Sequence, residues 1–461
     1  MADEVVHMTR CALDGLVAGT KVRTLCVVAV LALAGQAVGL GCAQARAAEA
    51  GTDQTSAEAA EAEFAKVPFA KWGAETLAQI DKDLGQPGSA LYAEYGTPDG
   101  RRGSDYGKYS FIWPASFQLR ALAAAAAVAP RRYLQQLVRY ADALEQYWKV
   151  RDGVGGYMVL PGDSERFYDD NAWMVLGLLD ARQVTGQATY LDRAAKTMAF
   201  LVSGEKKTPG AGIRQHETKT EGGTAVCTTA PATVGALRLY RITKDPNLLK
   251  MAERWYAWLT SKEVAVQDPA DGLLHQWAEL KNGKWEVRLG KRAYQSSLPI
   301  QAGVLFYQIK KDETYLKEAQ RIAAACLAEW VQPGGGLKET GQWGGSDLVD
   351  ALLDLYQVDK DPRWLTAVRR MLEFLHEKGR DPNGRYGEYW HEDRRGKPLE
   401  RFHLLYMAPV ARAYWRAAGV GGPPQAPEGR APDAPAAAGP ASLLWVTEEH
   451  RQLKGDDLWN A

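Results

Sequence analysis

Asp245-Pro246-Asn247-Leu248-Leu249 is the stretch from which the rest of the chain can be read. The Asp carboxylate can cap a helix, and Pro suits the first helical position because an N–H there would have no partner. The leucines then begin an amphipathic run. The pattern returns in Pro130-Arg131-Arg132-Tyr133-Leu134, Gln187-Ala188-Thr189-Tyr190-Leu191, Asp312-Glu313-Thr314-Tyr315-Leu316 and Asp361-Pro362-Arg363-Trp364-Leu365. Each has a short polar turn, an aromatic residue or Leu, then Leu. The Leu positions recur every ~50–65 residues, the length of a helical hairpin with one long loop.

Before each turn lies a helix that is more apolar all round, as at 113–129, 168–185 and 294–309. A helix apolar on most faces belongs inside, and one with a charged stripe belongs outside. The run near 73–84 and a last helix near 401–418 bring the count to about twelve, or six hairpins. The expected fold is therefore all-α, an (α/α)6 toroid of alternating inner and outer helices with long loops at one end. Inner-to-outer turns are tight, as in Thr243-Lys244-Asp245-Pro246, whereas the outer-to-inner loops are long and rich in Gly and aromatics. Long loops gathered at one end mark the functional face. One of them, around Trp277 and Trp285, flanks Asn282-Gly283 and reads as a β-hairpin.

The ends of the chain read differently. Lys21 and Arg23 precede an apolar run from Leu25 to Leu40, and Ala43-Gln44-Ala45 follows as a small-x-small cleavage site. Residues 1–45 are expected to be an export signal, so the protein is expected in the periplasm or outside the cell. Gly41-Cys42 resembles the end of a lipobox, which leaves a lipid anchor at Cys42 as an alternative. Residues 46–66 read as a linker, 67–419 as the folded domain, and 420–461 as a Pro/Ala-rich tail.

Lys plus Arg and Asp plus Glu balance at 56 each, which argues against nucleic acid or an anionic membrane as partner. The aromatics are biased toward those with a polar tip, 15 Trp and 20 Tyr against 9 Phe. Such side chains suit amphipathic ligands such as sugars. Cys227 and Cys326, the cysteines beyond the signal region, read as small buried hydrophobes rather than a disulfide framework. No HExxH run, G-x-S-x-G elbow, P-loop or dinucleotide fingerprint occurs. No cofactor or metal is expected, and a monomer is.

The sharpest motif is Phe167-Tyr168-Asp169-Asp170-Asn171-Ala172-Trp173. Two adjacent acids open an inner helix at the loop-bearing end, where the helix dipole favours a carboxylate. Two close carboxyls do not both ionise readily, so one should keep its proton. One ionised and one protonated carboxyl are what glycoside hydrolysis requires. The run resembles the signature of glycoside hydrolase family 76, the endo-α-1,6-mannanases of (α/α)6 fold. Gly212-Ile213-Arg214-Gln215 with Cys227 to Ala232, and Tyr294 to Ala302, are similar to further stretches of that family. Met174 and Ser296-Ser297 depart from its pattern, as in a divergent member. The resemblance implies a retaining mechanism with Asp169 as nucleophile and Asp170 as acid/base. Tyr168, Asn171, Trp173, Trp113, Gln215, Tyr294, Trp343, Asp347, Trp390 and His403 are the candidate substrate-binding residues. Loop aromatics such as Tyr106, Tyr109, Tyr386 and Tyr389 are further stacking candidates. A sugar epimerase or glucuronyl hydrolase using His216, His391 or His403, and a non-catalytic glycan-binding protein, are the alternative readings.

Overall fold

Each polar turn singled out above stands where an inner helix hands over to an outer one. The carboxylates of Asp245, Asp312 and Asp361 accept from the backbone N–H two residues on, at 2.9, 2.9 and 3.0 Å. In three of these connections the preceding helix ends on a lysine in the left-handed region, Lys244, Lys311 and Lys360, with φ of 61°, 59° and 58°. Gly186, at 72°, does the same job in a fourth.

The computed structural model describes residues 56–163, 165–207, 212–219, 222–338 and 340–420. The long helices are α1 (Phe69–Leu84), α2 (Ile112–Val128), α3 (Pro130–Ala143), α4 (Tyr168–Thr185), α5 (Ala188–Ser203), α6 (Val226–Thr243), α7 (Pro246–Leu259), α8 (Ala293–Lys310), α9 (Glu313–Trp330), α10 (Gln342–Asp359), α11 (Pro362–Phe374) and α12 (Leu404–Ala418). The even-numbered helices pack in a closed ring, α2 on α4 and onward to α12, which returns to α2. They are buried on nearly every face, as their sequences require. The outer helices carry a one-sided apolar stripe and lean on this ring, α3 on α2, α5 on α4, and so to α11 on α10. The sixth pair is not a sequential hairpin. α1, the first of these helices, packs against α12, the last. The fold is the expected (α/α)6 toroid.

The strands are short and lie in the long loops. β1 (Tyr95–Gly96) pairs with β2 (Arg102–Gly103) and with β8 (Phe402–His403), while β3 (Trp148–Arg151) pairs with β4 (Val154–Tyr157). β6 (Trp277–Lys281) and β7 (Lys284–Arg288) form the expected hairpin beside β5 (Thr224–Ala225). Its turn uses Asn282 at φ 50° and Gly283 at 74°, the left-handed pair that a tight hairpin demands.

One expectation needs correction. Residues 56–65 are helical, where a linker reaching to 66 was expected. Ala and Glu are good helix formers. Phe64 anchors the stretch on Phe69, ring centroids 4.8 Å apart. The export signal, Cys42 and the tail beyond 420 lie outside the described residues. Among the described residues, no helix is long and apolar enough to cross a membrane.

Candidate active site

The N-termini of the six inner helices open together at the loop-bearing end. α4 begins with the two acids, and its entry is held by three devices. The Tyr168 N–H donates to the Gln215 carbonyl at 2.8 Å, which lays residues 212–219 beside the helix start. The buried Asn171 amide accepts from the Tyr157 N–H at 2.7 Å and donates to the Tyr157 and Phe167 carbonyls at 2.9 and 2.8 Å. The buried Arg166 pairs with Glu217 on the same loop.

Asp169 and Asp170 are half-buried there. Asp169 is well supplied with donors. Gln215 Nε2 donates to its Oδ2 at 2.8 Å, the Asp170 N–H to its Oδ1 at 3.1 Å, and the Cys227 thiol stands 3.8 Å from Oδ2. Burial raises its pKa, and these donors pull it back. Among the described residues, nothing hydrogen-bonds the Asp170 carboxyl. Burial, reinforced by the Asp169 charge, pushes its pKa well above the usual range. Both shifts are upward and that of Asp170 is the larger, so Asp170 is the weaker acid of the pair. The dipole of α4 favours a carboxylate at its first turn.

Around the mouth the inner helices divide into two halves. On one side stand the acids of α4, Cys227 of α6 and Tyr294 of α8. Tyr294 is close enough to feel the charge of Asp169. On the other side, α10, α12 and α2 carry a row of half-exposed rings. Trp113 meets Trp343 edge-on at 5.7 Å, Trp343 lies near-parallel to Tyr406 at 6.4 Å, and Tyr406 meets His403 at 4.9 Å. Trp173 and Phe117, 5.3 Å apart, floor the space between.

The structure thus brings Asp169, Asp170, Gln215, Tyr294, Trp113, Trp343 and His403 to one mouth. Other candidates are turned away from it. Tyr168 is buried and stacked on Phe200 at 4.5 Å. Asn171 spends its amide on the loops, and Trp173 is buried in the floor. Asp347 is fully buried, with Arg120 Nη1 at 3.4 Å from Oδ1. Trp390 is also fully buried and donates to the Met371 carbonyl at 3.3 Å, so it offers no stacking face. Tyr386 is buried too. His216 is buried, and its Nδ1 accepts from the Thr218 N–H at 3.1 Å. Cys227 was read as an inert hydrophobe, but it touches Asp169. Tyr406 and Glu94 went unnoticed because nothing in their local sequence marks them.

The family model described as glycosyl hydrolase family 76 matches residues 89–344. A family 76 α-mannanase of Bacteroides thetaiotaomicron is 30% identical with a TM-score of 0.71, over 78% of this chain and 98% of that one. An inactive variant of a Salegentibacter α-1,6-mannanase has two consecutive aspartates replaced by asparagine and was solved with α-1,6-mannotriose. It is similar in fold, with 20% identity and a TM-score of 0.63 over 76% of this chain and 99% of that one. The meiotically up-regulated gene 191 protein of Schizosaccharomyces pombe is 27% identical over 206 residues, which is 40% of this chain and 45% of that protein. The match thus spans less than half the length of that relative.

Proposed function

The chain belongs to glycosyl hydrolase family 76, and from that premise we propose that it cleaves α-1,6-mannosidic bonds of an α-mannan with retention of configuration. Asp169 is the nucleophile and Asp170 the acid/base. The observation that carries this reading is the unequal pair at the start of α4. Gln215 and its neighbours favour the ionised form of Asp169, and Asp170, the weaker acid, is left to keep a proton. Asp170 gives that proton to the glycosidic oxygen as the bond to C1 breaks, and an Asp169 oxygen bonds to C1. Asp170, now a carboxylate, takes a proton from water as the water oxygen attacks C1 and frees Asp169. Gln215 and Tyr294 flank the reacting sugar, and Trp113, Trp343 and His403 bind its neighbours. Residues 67–419 are the catalytic domain. The protein acts as a monomer outside the cytoplasm, delivered by its N-terminal export signal.

The test is release of reducing ends from α-1,6-mannan. Wild type should release them, and Asp169→Asn should lower the rate by at least about a thousandfold, as expected when a group acting only in the transition state is lost. Hydrolysis that survives Asp169→Asn would overturn the assignment. Saccharide binding without hydrolysis in the wild type would favour a non-catalytic glycan-binding protein.

A further inference from the structure

The row of rings opposite the acids runs further than the sugar at the scissile bond requires. From Trp113 it passes over Trp343 and Tyr406 to His403, and His403 meets Tyr95 at 5.9 Å. The Arg401 guanidinium covers the far face of this end, 3.5 Å from the Tyr95 ring centre, and pairs with Asp105 at 2.9 Å. These rings come from α2, α10, α12, β8 and β1, and each keeps a face partly open.

Beside this row stands a carboxyl that the mechanism does not use. Glu94 is 9% exposed. Its main-chain carbonyl accepts from the Leu404 N–H at 2.9 Å, so it sits at the entry to α12. One carboxyl oxygen, Oε2, accepts from the Phe111 N–H at 2.9 Å, at the entry to α2. The other has no hydrogen-bond partner among the described residues. The group is close enough for its charge to act on the Tyr406 hydroxyl. The unpartnered oxygen keeps some exposure, so a ligand hydroxyl can reach it. Burial raises the Glu94 pKa to about 7, so the protonated form is within reach near neutral pH and the group can accept or donate. His403, whose pKa is lowered to about 4 by burial and by Arg401, is neutral and can likewise do both. Rings with open faces beside groups that both accept and donate suit a neutral hexopyranose.

We propose that the α12 side of the mouth is a remote saccharide subsite, in which Tyr406 and His403 stack on a hexopyranose ring and the free Glu94 oxygen binds its hydroxyls. It rests on the glycosidase reading above and adds to it the direction in which the glycan extends. The chain crosses the mouth from the acids of α4 toward β1 and β8.

The test uses Asp169→Asn protein, so that ligand is not consumed. Linear α-1,6-mannooligosaccharides of increasing length are titrated into it by calorimetry. Affinity should step up by about threefold to tenfold when the oligomer is long enough to reach Tyr406, the range expected of one aromatic contact. Tyr406→Ala should abolish that step, Tyr406→Phe should retain most of it, and Glu94→Gln should reduce it. A long-to-short affinity ratio that stays within about twofold of the parent in both Tyr406→Ala and Glu94→Gln would overturn the subsite and leave the glycosidase reading standing. Parent protein that binds no α-mannooligosaccharide, with a wild type that cleaves none, would overturn both.

Discussion

The Tyr168 N–H holds the Gln215 carbonyl, and the Gln215 side chain donates to Asp169, so one hydrogen bond of the main chain helps place a contact to the proposed nucleophile. Gln215 stabilises the charged form of Asp169. Gln215→Ala should therefore raise the Asp169 pKa and move the acid limb of the pH profile of kcat/KM to higher pH, leaving the alkaline limb set by Asp170. Cys227→Val should move the same limb the same way by less, since a thiol at 3.8 Å is a weak donor. An unmoved acid limb in Gln215→Ala would show that this contact does not tune the nucleophile. The acids were legible in the sequence because they are neighbours and their chemistry is local. Gln215 was legible as a loop residue, though not as the partner of Asp169. Cys227, Tyr406 and Glu94 were not legible, because different helices bring them to the mouth. Trp390 misled in the opposite way. It lies in an aromatic loop, but its ring fills the space left by the missing side chain of Gly345.

At the scale of single elements, helix starts could be read and helix ends could not. An Asp at the cap has one thing to do, and Asp245, Asp312 and Asp361 do it. Asp245→Ala should destabilise the domain by about 1 kcal/mol in denaturant unfolding. The ends at Lys244, Lys311 and Lys360 place a side chain in the left-handed region, where Gly or Asn is the usual choice. Lys311→Gly should therefore stabilise by about 0.5–1 kcal/mol in the same measurement, and a loss of stability would refute the claim of local strain. The helix at 56–65 was misread because its Ala and Glu content looked like spacer. Phe64 is the one large ring in it, and it finds Phe69.

At the scale of the whole molecule, the ring is fastened through its middle by charge. Arg120, Arg238, Arg412 and Arg416 interlock with Asp180, Asp347, Asp350 and Asp354 across α2, α4, α6, α10 and α12. A cavity of about 570 Å³ beside this ladder faces the end away from the acids and is lined in part by Arg238, Asp354 and Arg416. Arg412 donates to Asp180 at 2.8 Å and to Asp350 at 2.6 Å. Arg412→Met should destabilise by less than the ~3–5 kcal/mol of a stranded buried charge, because Asp180 keeps Arg238 and Asp350 keeps Arg416. Asp347 behaves differently. Burial raises its pKa to about 7 from an ordinary 3.8, so the folded state favours its protonated form. Its contribution to stability is full below the unfolded value and fades as pH rises through 4 to 7. Asp347→Asn should therefore gain on wild type in melting temperature as pH climbs across that window. A difference independent of pH would show that Asp347 does not titrate there. The ladder was not legible, although Asp347 was noticed, since its partners are brought together from five different helices. The toroid itself was legible from periodicity, except for its closure. Because α1 packs chiefly on α12, the first long helix lacks its principal neighbour until the last has been synthesised. A ribosome-bound chain that stops short of Leu404 should leave Trp72 and Leu77 open to protease, and completing the chain should protect them in a single step. New termini cut at an inner-to-outer turn such as Lys311, with the old ends joined, should give a ring that still closes.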